Sequence, residues 1–146
     1  IEGLPEFLAT ISQEYTKRVL PDYLPDGTKV AFRVWAVSQW AGDFNPIHIH
    51  DSNLSGVCFL KIPPKFDEEY AKEDHHPTAG CLEFIGSVPN HFARHSFLAK
   101  PEIGDFYIFP SWLTHQVYPF RSDGERRSMA FNVHFTMKEP VKGLNV

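Results

Sequence analysis

Turn-forming residues cut most of this sequence into pieces too short to be helices. Twelve prolines and nine glycines are spread through 146 residues, and beyond residue 28 the apolar runs between them have the length and alternation of strands. Lys29 to Ser38 sets Val30, Phe32 and Val34 against Arg33 and Trp35. Leu54 to Ile62 is a second strand, ended by Pro63-Pro64, and Cys81 to Ile85 is a third. Gly104-Asp105 reads as a hairpin turn feeding Phe106 to Phe109. The last strand, Arg126 to Met137, has Arg126, Ser128, Ala130, Asn132 and His134 on one face and Met129, Phe131, Val133 and Phe135 on the other.

Only residues 4–20 carry a helical period, with Leu4, Phe7, Leu8, Ile11, Tyr15 and Val19 on one face and Pro5 suited to the first turn. Residues 65–79 are polar and acidic, a solvated loop or short helix that runs into His75-His76. One helix followed by many strands predicts a mainly β fold: a jelly roll or barrel with the helix packed outside, in one domain over 1–146 with its core at about 30–137.

A net charge of −4 and a pI near 6.0 argue against nucleic acid as a partner. No run reaches the ~20 apolar residues of a membrane span, and no signal peptide is visible. The first residue is Ile1 rather than Met, which leaves room for a preceding piece. Cys58 and Cys81 fall inside strands with no Cys-x-x-Cys spacing, so both read as reduced core residues and a cytoplasmic setting is expected.

His48-Ile49-His50 carries the chemistry. In a strand, positions i and i+2 share a face, and two imidazoles there with a distant third, His115, can take three cis positions on one divalent metal and leave the others open. Asp51 is the alternative third ligand, brought round by a bulge. On the last strand, an inward Arg126 is costly unless it meets an anion, and Ser128, two residues on, points the same way. A metal triad with an Arg-x-Ser clamp suits a 2-oxo acid that chelates the metal and reaches the arginine with its far carboxylate.

Three stretches resemble the bacterial and phage 2-oxoglutarate/Fe(II)-dependent oxygenases related to prolyl 4-hydroxylase. They are Asn45-Pro46-Ile47-His48-Ile49-His50 leading into Leu54-Ser55-Gly56-Val57; Gly104-Asp105 through Ser111-Trp112-Leu113-Thr114-His115; and Glu125-Arg126 with Ser128, Phe131 and Asn132. The resemblance implies a double-stranded β-helix, Fe(II) and 2-oxoglutarate, O₂ as oxidant, and succinate and CO₂ as products. It implies His48 and His115 as ligands and Arg126, helped by Ser128, on the C5 carboxylate. A phage-encoded protein acting inside a host cell would fit it.

The chain departs from the family pattern twice. His50 stands where most relatives have a carboxylate, and Cys58-Phe59 stand where relatives often have a tyrosine that bonds the co-substrate, for which Tyr107 is a substitute. The substrate, a peptidyl side chain or a small molecule, is not readable; Trp40, Trp112 and the His75-His76 loop are candidates for its entrance. Two other readings remain open, a cupin-type metalloenzyme without 2-oxoglutarate and a non-catalytic β-sandwich binding module.

Overall fold

The computed structural model describes residues 2–21, 28–72, 77–86, 91–92 and 94–136. The chain starts with helix α1 (Leu4–Val19), which has Pro5 in its first turn beside Glu6, and Lys17 and Arg18 in its last. Those charges complement the helix dipole at both ends. Leu8, Ser12 and Thr16, four residues apart, form its buried stripe.

The strands follow as β1 (Lys29–Gln39), β2 (Asn45–His48) and β3 (Leu54–Lys61). Helix α2 (Phe66–Lys72) comes next, then β4 (Leu82–Ile85), β5 (Ser96–Ala99), β6 (Phe106–Pro110), β7 (Thr114–Val117) and β8 (Arg126–Thr136). They build two four-stranded sheets, β1-β8-β3-β6 and β2-β7-β4-β5. Every strand pairing is antiparallel. This is the expected mainly β jelly roll with an N-terminal helix.

The first sheet is covered on both faces. On one, Leu8 of α1 packs against Leu54, Phe131 and Val133, with Val30, Phe32 and Phe106 around them. On the other, Phe59 and Phe109 meet Leu82, Phe84, Ala99 and Val117. A satellite cluster of Phe66, Ala79 and Phe120 seats α2. The parity of β8 follows from this: Phe131 and Val133 point to the helix, and Arg126, Ser128 and Ala130 point between the sheets. The alternation expected for β1 holds. Val30 and Phe32 point to the helix, and Trp35 shares the face between the sheets with Val37 and Gln39.

Three strands do not stand out in the sequence by alternation. β2 contains Pro46, which has no N–H for a ladder; it is tolerated because β2 is an edge strand. β5, also an edge, and β7 have four residues each, too short to stand out in the sequence, although the burial of β7 alternates. The acidic stretch resolves as α2 over Phe66–Lys72, while His75 and His76 lie outside the described residues. Cys58 and Cys81 are not joined in a disulfide.

Candidate active site

The two sheets enclose a cavity of about 310 Å³. Its wall on the first sheet comes from cross-strand pairs: Trp35 opposite Ala130, Val37 opposite Ser128, and Gln39 opposite Arg126. On the second sheet it is faced by His48 and His115, and by His50 just past the end of β2.

The ligand atoms of His48, His50 and His115 lie within 4.8 Å of one another. His48 and His115 are direct register partners across β2 and β7. His50 is not held by strand parity, since β2 stops at His48 and its register with β7 shifts before that residue. Its position is fixed instead by its own N–H, which donates to the Ser111 carbonyl at 2.9 Å. Ser111 in turn sits in a hydroxyl network with Ser52 and with Ser55 at 2.9 Å; Ser55 also donates to Asn132 Oδ1.

The donor chemistry fits a divalent metal. His48 Nδ1 lies 2.6 Å from the Pro46 carbonyl, and His115 Nδ1 lies 2.9 Å from the Leu113 carbonyl. A carbonyl only accepts, so each Nδ1 carries the proton, and Nε2 keeps a free lone pair in the tautomer a metal requires. Burial lowers the pKa of His115 to about 4, with the neighbouring His48 and His50 pushing in the same direction. His50 is lowered too, by burial and by His48. Both are therefore neutral near pH 7 and able to ligate. Asp51 is exposed and lies outside this group.

Arg126 is 2% exposed. Its Nε donates to the Gly80 carbonyl at 3.1 Å and its Nη1 to Gln39 Oε1 at 2.7 Å. The Phe59 ring lies 5.0 Å from the guanidinium carbon. Gly80 presents that carbonyl from a left-handed φ of 59°, and an added Cβ would sit 2.6 Å from the Phe66 ring. Among the described residues no carboxylate pairs with Arg126. Burial lowers its pKa to about 10, which still leaves it charged. A buried guanidinium bonded only to neutral acceptors calls for an anion from outside the chain.

The structure thus brings together His48, His50, His115, Arg126 and Ser128. It does not bring Tyr107 to them: its ring packs among Phe59, Phe84 and Phe97, and its hydroxyl lies 3.5 Å from Asp105 Oδ2. Trp40 and Trp112 are exposed and absent from the cavity wall. Two wall residues were not singled out from sequence. Trp35 meets the His50 ring edge-on at 6.3 Å between centroids, and Gln39 bonds Arg126. Continuing the Trp35-Val37 parity by one step finds Gln39.

The model of a family described as "Putative 2OG-Fe(II) oxygenase" matches residues 33–132. No curated protein gave a match. Among solved structures, a Pseudomonas putida prolyl-4-hydroxylase is similar at 20% identity and a TM-score of 0.56, over 92% of this chain and 67% of that one. An oxidoreductase of the 2OG-Fe(II) oxygenase family from Burkholderia pseudomallei is similar at 15% identity and a TM-score of 0.56, over 84% and 49%. A prolyl 4-hydroxylase from Phytophthora capsici is similar at 14% and 0.51, over 86% and 39%. The chain spans half or less of the last two proteins, and at these identities the likeness is one of fold.

Proposed function

This chain belongs to the 2OG-Fe(II) oxygenase family, and from that premise we propose that it hydroxylates a substrate C–H bond with Fe(II) held by His48, His50 and His115. When bound, iron and co-substrate supply the oxidation itself: O₂ is consumed, 2-oxoglutarate leaves as succinate and CO₂, and one oxygen atom enters the substrate. The chain's own residues bind, orient and exclude water. The Pro46 and Leu113 carbonyls hold two of the imidazoles in the ligating tautomer. Arg126, with Ser128 beside it, takes the distal carboxylate, and Gly80 and Gln39 hold the guanidinium in place. Apolar wall residues such as Val37, Leu82, Phe109 and Val117 keep the cavity dry. The substrate is a peptidyl side chain or a small molecule.

The observation that carries this reading is a buried Arg126, with no carboxylate paired to it among the described residues, in the same cavity as three histidine donors. Fe(II) added without oxygen and followed by 2-oxoglutarate should give the weak visible charge-transfer band of a chelated 2-oxo acid. Iron binding with no band on adding 2-oxoglutarate would remove the co-substrate from the proposal.

A further inference from the structure

We infer that Gln39 is a specificity determinant for the co-substrate, donating through its side-chain amide to the same carboxylate that Arg126 holds. This rests on the oxygenase reading above and adds a recognition residue to it. Gln39 ends β1 opposite Arg126 and is 4% exposed. Its Oε1 accepts from Arg126 Nη1 at 2.7 Å. A guanidinium has no acceptor, so this bond fixes which way the amide is turned and directs Nε2 away from the arginine. Nε2 is buried and has no hydrogen-bond partner.

A buried amide donor is rarely left unmade. Among the described residues the only other such atom is Ser12 Oγ, on α1 and away from the cavity. Gln39 lines the cavity beside Arg126 and Ser128. The three offer guanidinium N–H, amide N–H and hydroxyl O–H groups with no acidic side chain among them. That set suits a group that only accepts, a carboxylate.

The amide also suits the arginine in a way a carboxylate would not. Glutamate at position 39 would orient Arg126 equally well but would neutralise it from inside the chain, leaving nothing for the ligand to pair with. Glutamine fixes the guanidinium, keeps its charge available and adds a donor. The consequence is selection for a 2-oxo acid with a second carboxylate over one without it.

The test is calorimetric titration of the Mn(II)-loaded protein with 2-oxoglutarate and, separately, with pyruvate. It uses wild type, Gln39→Leu and the near-isosteric Gln39→Glu. Gln39→Leu should weaken 2-oxoglutarate about tenfold, the worth of one hydrogen bond to a charged group, and Gln39→Glu should weaken it further. Mn(II) and pyruvate affinities should not change. Equal 2-oxoglutarate affinity in wild type and either variant overturns the inference and spares the oxygenase reading. An equal loss for pyruvate also overturns it, because Gln39 would then act on the cavity as a whole. A loaded wild type that binds no 2-oxoglutarate overturns the oxygenase reading itself, and the inference with it.

Discussion

His48 and His115 stand directly opposite each other across the β2–β7 pair, their rings 4.3 Å apart between centroids. A backbone ladder therefore sets the spacing of two metal donors before any metal arrives. That arrangement makes the free site sensitive to protons. The pKa of His115 lies at about 4 against an ordinary 6.5, because burial disfavours the imidazolium. The unfolded chain takes up a proton near 6.5 that the folded chain refuses until about 4. Stability from this group is thus complete above 6.5 and declines as pH falls from 6.5 toward 4. Melting temperatures of the metal-free protein should drop across that window, and His115→Gln should flatten the drop. An unchanged slope in the variant would show that His115 does not carry it.

Arg126→Ala should weaken 2-oxoglutarate by about 30-fold or more, the ~2 kcal/mol or greater expected when a buried charged partner is truncated. Fe(II) or Mn(II) affinity should stay the same, since Arg126 touches no histidine of the triad. The charge-transfer band titrated against 2-oxoglutarate gives one number and metal binding the other. Unaltered co-substrate affinity would sink the clamp.

Gly56→Ala should destabilise the fold by about 3 kcal/mol or more, an overpacking cost at the upper end of its range. A Cβ there would overlap the Phe131 ring and lie 2.7 Å from the Tyr107 carbonyl. β3 lies between β8 and β6 and cannot step aside. Urea unfolding measures the loss. Phe131→Leu in the same chain should return only part of it, because the Tyr107 carbonyl remains.

What could be read from the residues alone divides along physical lines. The parity of β8 was legible because eleven residues display a clean period, and that parity put Arg126 and Ser128 inside. β7 was not, although it carries His115 and its burial alternates, because four residues are too short a run to stand out and their pairing comes from β2 and β4. The cavity-lining place of Trp35 was not legible, because alternation cannot tell a solvent face from a second buried one when α1 covers the other side. Gln39 stayed hidden because a terminal polar residue looks like a strand end. His50 was chosen over Asp51 by strand parity; the structure also sets His50 in the cluster, but a main-chain bond to Ser111 does so.

That bond makes the third ligand testable apart from the other two. His50→Ala should weaken divalent-metal affinity by tenfold or more, since it removes a donor and leaves two. Asp51→Ala should leave affinity unchanged, because Asp51 is exposed and outside the histidine group. His50→Asp should restore much of what alanine loses, because it supplies the carboxylate of the common two-histidine facial site. It also adds a negative charge, which strengthens the hold on a dication. Ser111→Ala, which breaks the hydroxyl network but keeps the carbonyl that His50 bonds, should cost about 1–2 kcal/mol of stability and little metal affinity. Anaerobic Mn(II) titration followed by electron spin resonance reads all four variants on one scale. A large loss in Asp51→Ala with none in His50→Ala would reverse the assignment and make this a site of two histidines and a carboxylate after all.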